Sequence, residues 1–147
     1  MDLIEKAVAF IAKFEGLRLE AYEDVVGVWT IGYGTTVLPN GAKVCEGMSC
    51  SEIEAKAYLI RHVRDLNEKL SAMLLVPLND NQRIALLSLV YNIGVGAFQK
   101  STLLKQLNSK TSPQLVAFEF LKWNKAGGRV IDGLVTRRNE EMKVFLT

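Results

Sequence analysis

Residues 84–90 read Ile84-Ala85-Leu86-Leu87-Ser88-Leu89-Val90, with Ser88 the lone polar side chain among them. Extended to Arg83–Ile93, the stretch is long enough for about three helical turns. Asn79 or Asp80 supplies an N-cap before it, and Gly94 a stop after it. A helix that is apolar on nearly every face has to be enclosed by other elements. This helix is therefore expected at the centre of a core, and the rest of the chain has to surround it.

Helices are the main material for that enclosure. Leu3, Ile4, Ala7, Val8 and Ile11 recur at helical spacing and predict a core-facing helix over about 2–14. Ser51-x-x-Glu54 is a capping-box pattern opening a helix to about Leu70. Ser101–Leu107 reads as a short helix. Ser112-Pro113 places a cap before Pro at the first helical position, leading Gln114–Trp123. Gly127-Gly128 closes that region, and Leu134–Phe145 forms the last helix. The segment from Gly16 to Val44 has a different texture. Val28–Ile31 is β-branched and aromatic and predicts a strand. Tyr33–Leu38 is expected as a second short strand, Pro39-Asn40-Gly41 as a turn, and Ala42–Val44 as a third strand. The fold class that follows is α+β, mainly α: one helix, a small antiparallel sheet lobe, and a larger helical lobe. A cleft between two such lobes is a usual place for a ligand.

The 147 residues are one domain's worth, and 49% hydrophobic with 23% charged residues excludes a disordered or low-complexity chain. The net charge of +2 is unevenly distributed. Residues 1–54 carry four Lys/Arg against nine Asp/Glu, and residues 55–147 carry fourteen against seven. A basic second part suits a polyanionic partner, although a dispersed solvated surface gives the same count. Cys45 and Cys50 are too few for a disulfide scaffold. With His62 alone they cannot make a structural zinc site of four ligands. The spacing leaves open whether they form a local bridge. No apolar stretch approaches the length of a membrane span, and the N-terminus does not read as a signal peptide.

The residue types that carry chemistry cluster between Glu15 and Thr35. Glu15 ends the first helix, Asp24 lies on the loop before the first expected strand, and Thr30 lies on that strand. Two carboxyl groups suit hydrolysis of a glycosidic bond. One, kept protonated, donates to the leaving oxygen, while the other stays ionised and directs a water or stabilises the oxocarbenium charge. Glu20 and Glu23 would satisfy a bare two-carboxylate argument equally well.

The full pattern discriminates between them. Glu15, Gly16, Tyr22, Asp24, Gly27, Thr30, Ile31, Gly32 and Gly34 together resemble the signature of phage-type lysozymes, the endolysins that cut bacterial peptidoglycan. Tyr91-Asn92-Ile93-Gly94 with Gly96-Ala97-Phe98 and Ser101-Thr102 resembles a second block of that family. Gly133-Leu134, Arg137-Arg138 and Glu141 resemble a third. The blocks stand in family order over residues 15–141.

The resemblance implies a single lysozyme domain over 1–147. A sheet lobe spans about 15–50, a linking helix about 51–70, and a helical lobe about 77–147 with helix 2–14 packed against it. It implies Glu15 as general acid, Asp24 as second carboxylate and Thr30 as the hydroxyl that holds the attacking water. Tyr91 and Ser101 resemble substrate-contacting positions of the family, and Tyr33 and Arg138 are further candidate substrate-binding residues. Arg138 is expected either to reach Glu15 or to pair with Glu141 along the helix, while Ser101 also reads as a cap. Some members carry His where this chain has Thr35, so an ion pair made by that His is lost. An inverting reaction, as the family is generally described, would place the carboxyl groups about 6.5–9.5 Å apart.

The expected partner is peptidoglycan. No metal or organic cofactor, nucleic acid or membrane span is implied, and a monomer is expected. The protein would stay in the host cytoplasm before lysis and act on the wall in the periplasm after release by a holin-type factor. The competing readings are a lytic transglycosylase, which closes a 1,6-anhydro ring instead of adding water, and a wall-binding domain without activity. Nucleic-acid binding lacks a docking motif.

Overall fold

The apolar run forms a helix whose centre is wholly buried. In the computed structural model, which describes residues 1–147, the elements follow the order α1 (Leu3–Ala12), β1 (Arg18–Glu23), β2 (Trp29–Gly32), α2 (Glu52–Met73), α3 (Asp80–Ile93), α4 (Val95–Gln99), α5 (Thr102–Asn108), α6 (Pro113–Phe120), β3 (Lys125–Ala126), β4 (Arg129–Val130) and α7 (Asp132–Phe145). The class is α+β and mainly α, as expected. Every residue from Ile84 to Val90 is buried. No helix is long and apolar enough to cross a membrane. The chain divides into two compact units, Met1–Asp65 and Leu66–Thr147, and the division falls within α2.

In the first unit, α1 opens on a capping box. The Asp2 carboxylate accepts from Glu5 N (2.8 Å), and the Glu5 carboxylate accepts from Asp2 N (3.0 Å). Ala7, Val8 and Ile11 are its buried stripe. β1 and β2 pair antiparallel, with Tyr22 opposite Thr30 and Glu23 opposite Trp29. Strand alternation sends Trp29 and Ile31 to one face. Ile31 joins Val44, Cys50 and Ala55 in a core cluster, with Trp29, Tyr33, Leu17 and Tyr58 packed against it. α2 begins with the predicted capping box between Ser51 and Glu54. β2 meets α2 at Gly32. Its φ is +67°, and a Cβ built there would stand 3.1 Å from Ala55 Cβ.

In the second unit, α3 packs on α7, α7 on α6, and α6 on α5. Asn79 and Gln82 form the capping box of α3, and Gly94 ends it. Arg83 Nη1 donates to Asn67 Oδ1 (3.0 Å) and Ser71 Oγ (2.8 Å), one turn apart on α2. Asn108, at the end of α5, ties down the end of α2. Its amide donates to the Met73 carbonyl (2.9 Å), and its oxygen accepts from Leu75 N (2.9 Å).

Several local expectations need correction. Tyr33–Leu38 and Ala42–Val44 are not strands. They make only the single bridges Ile31 to Thr35 and Val37 to Lys43, because the chain turns back at Tyr33-Gly34. The partner of β2 is Arg18–Glu23, so Asp24 lies between two strands rather than before the first. Helix α4 and the β3–β4 hairpin went unread. The hairpin's turn is Gly127-Gly128, both with positive φ, rather than a simple helix stop. α6 ends at Phe120, short of Trp123, and Ser112 makes no side-chain cap bond. Arg137 and Arg138 sit in the middle of α7.

The Gly32 contact yields a direct expectation. Gly32→Ala adds a Cβ at positive φ against α2 and should cost about 1–3 kcal/mol. Urea unfolding of the variant measures it.

Candidate active site

Asp24 is held by the hairpin that carries it. The β1–β2 connection is a three-residue loop, Val25-Val26-Gly27, closed by Gly27 N to Asp24 O (3.0 Å) and Asp24 N to Val28 O (2.9 Å). Gly27 has φ +82°, the left-handed residue that such a loop requires. Asp24 Oδ1 accepts from Val26 N (2.9 Å) and Val28 N (2.8 Å). Two backbone amides on one oxygen fix the carboxylate plane and leave Oδ2 outside these bonds. The side chain is half-buried.

Thr30 is fixed by the same residue. It is buried, and its hydroxyl donates to the Val28 carbonyl (3.0 Å). A hydroxyl has one proton. With that proton given to Val28, the Thr30 oxygen can only accept from any further partner. Val28 thus ties down Asp24 through its N–H and Thr30 through its C=O. Sequence reasoning missed this hub, because it is built from backbone groups and no side-chain type marks it.

Glu15 lies just past α1, its N–H donating to Ile11 O (3.2 Å), and is half-buried. The turn after α1 sets its position. Glu20 and Glu23, the rival carboxylates, are exposed on β1. Glu15, Asp24, Thr30 and Tyr33 all belong to the first unit, and Tyr33 packs against its core cluster. Thr35 is buried, and its hydroxyl has no protein partner. Cys45 and Cys50 are free thiols, and burial and the Glu54 carboxylate push the Cys50 thiol up, away from the nucleophilic thiolate.

The remaining expected residues belong to the second unit. Tyr91 is half-buried near the end of α3. Ser101 is the N-cap of α5: its hydroxyl donates to Phe98 O (2.6 Å) and accepts from Leu104 N (3.1 Å). Arg138 is fully buried within α7. Glu141, also fully buried, accepts from Ser88 Oγ of α3, Arg137 Nε (3.3 Å) and Arg138 Nη2 (3.2 Å). Arg138 Nε lies 2.7 Å from Glu141 Oε1 as an ion-pair contact without hydrogen-bond alignment. Arg137 Nη2 reaches the Ser88 carbonyl (3.1 Å), and Arg138 Nη1 reaches the Trp123 carbonyl (3.3 Å). Burial pushes the Glu141 carboxyl up, while Arg138, Ser88 and Arg137 pull it back down. The pairing of Arg138 with Glu141 expected from helical spacing is present. It is a buried network between α3 and α7 rather than a solvated surface pair.

The family model described as phage lysozyme matches residues 12–141. The endolysin of Salmonella phage P22 is 39% identical over 147 residues, covering 100% of this chain and 99% of its own. The endolysin of Bacillus phage B103 is 40% identical over 149 residues and 100% of this chain, which spans only 55% of that protein's length. The solved structure of an endolysin from Escherichia coli O157:H7 phage FAHEc1 superposes with a TM-score of 0.86 at 36% identity, covering 99% of this chain and 94% of that one.

Two stability measurements test these buried polar groups. Glu141→Gln leaves two guanidinium groups buried without their anion and should cost about 3–5 kcal/mol in chemical denaturation. Thr35→Val removes a buried hydroxyl that has no protein partner and should raise stability by about 1 kcal/mol. A loss instead would show that an internal water satisfies that hydroxyl.

Proposed function

Because the chain belongs to the phage lysozyme family, we propose that it is a muramidase of the endolysin type, a glycoside hydrolase that lyses the host by cutting peptidoglycan. The bond cut is the β-1,4 link between N-acetylmuramic acid and N-acetylglucosamine. Glu15 donates a proton to the leaving glycosidic oxygen. Asp24, through Oδ2, takes a proton from the attacking water. Thr30 accepts a hydrogen bond from the same water, which aims its lone pair. The observation that carries this division of labour is the Val28 hub, where one residue fixes the orientation of the carboxylate and the polarity of the hydroxyl. A hydroxyl that can only accept, beside a carboxylate with one oxygen available, suits a water with two protons to place. Arg138 and Ser101 each make bonds within their own unit. Tyr33 and Tyr91 are the proposed sugar contacts. The protein works as a monomer on the cell wall, and a holin-type factor releases it from the host cytoplasm.

The test is clearing of outer-membrane-permeabilised Gram-negative cells, with mass spectrometry of the released muropeptides. Glu15→Gln and Asp24→Asn keep the shape and remove the transferable proton or the base. Each should slow cleavage by about 10²–10⁴-fold. Wild-type products should carry hydrated reducing ends. Anhydro ends would identify a transglycosylase, and clearing by Glu15→Gln would remove that residue from the mechanism.

A further inference from the structure

The hairpin tip that holds Asp24 breaks a local rule. Val25 is fully exposed, Val26 is 79% exposed and Val28 is 43% exposed. Turn tips favour small polar residues, Gly or Pro. β-branched apolar side chains gain nothing there from burial, and they fit a tight turn poorly. The backbone of this tip is fully used, with Val26 N and Val28 N on Asp24 Oδ1 and Gly27 N on Asp24 O. The side chains of Val25 and Val26 take no part in those bonds, so the loop would close equally well with polar residues. A local choice that costs solvation without structural return points to a ligand contact.

We propose that Val25 and Val26 are a specificity-determining contact for the methyl-bearing peptide arm carried by the muramyl unit. The inference rests on the muramidase reading above. Both valines lie within two residues of Asp24, so whatever Asp24 serves passes close to them. The substrate class offers apolar groups of two kinds, the acetamido and lactyl methyls on the sugar rings and the methyls of the peptide arm. A side chain standing wholly in solvent at the tip is placed to meet a group that protrudes from the glycan strand rather than the strand's own ring edge. The contact orients the strand and leaves the reacting groups untouched, so it acts on KM.

The experiment is kinetics of Val25→Thr, which keeps β-branching and the backbone bonds while adding polarity and leaves Val26, whose N–H holds Asp24, untouched. Two substrates are compared: intact peptidoglycan, and the same glycan stripped of its peptides by an amidase. On intact wall the variant should show KM raised about fivefold with unchanged kcat, and on stripped glycan no change. Its melting temperature should match wild type, because the side chain lies in solvent. An equal KM rise on both substrates would move the contact to methyls that stay on the stripped glycan, lactyl or acetamido, and overturn the assignment to the peptide arm. Unchanged KM on both would overturn the contact altogether. A wild type that releases no reducing ends from either substrate would instead defeat the muramidase reading. Cleavage by wild type with an indifferent Val25 would leave that reading standing.

Discussion

The two hydrogen bonds from Val26 and Val28 amides to Asp24 Oδ1 are the constraint on which the site depends. They convert a flexible aspartate on an exposed loop into a carboxylate of fixed orientation, with Oδ1 held by both amides and Oδ2 outside these bonds. The same Val28 turns its carbonyl to Thr30 and so decides which way that hydroxyl's proton points. Below the tip, Ile31 anchors the strand in the first unit's core, and Gly32 allows β2 to touch α2 at Ala55. The loop that carries Asp24 therefore sits on a rigid ribbon, and the ribbon is held by a contact that tolerates no Cβ without adjustment.

The second unit spends its buried charge differently. Glu141 lies between two guanidinium groups of its own helix and accepts from Ser88 across the interface with α3. Such a network is costly to desolvate and is weak evidence for net stability. Its effect is positional. The Ser88 hydroxyl, the lone polar side chain in the apolar run of α3, fixes the rotation of that helix against α7. The Arg138 contact with the Trp123 carbonyl ties the base of the β3–β4 hairpin to the same network.

Helices were legible in the sequence because their signals are local. The capping residues Ser51 and Asn79, the stripe of α1 and Gly94 each act within one or two turns. The strand Arg18–Glu23 was not legible: its burial pattern is mostly exposed, so it shows no alternation. Its pairing is set by β2 across the turn. Two-residue strands such as β3 and β4 leave no periodicity to detect. At the candidate site, Glu15, Asp24 and Thr30 were singled out by the resemblance of their pattern to the family signature. The Val28 hub was invisible, because backbone groups are the same in every residue. The full burial of Arg138 was equally hidden, since it depends on neighbours from α3 and the segment after α6.

In the proposed mechanism a water between Asp24 Oδ2 and an acceptor-only Thr30 would attack the anomeric carbon directly, as a single displacement. The stereochemistry of the first product reports this most directly. Proton NMR of the reducing end, recorded before mutarotation, should show the α-anomer released from the β-linked glycan. The β-anomer as first product would mean two displacements with Asp24 bonded to the sugar, and would contradict the account of a water held between Asp24 and Thr30.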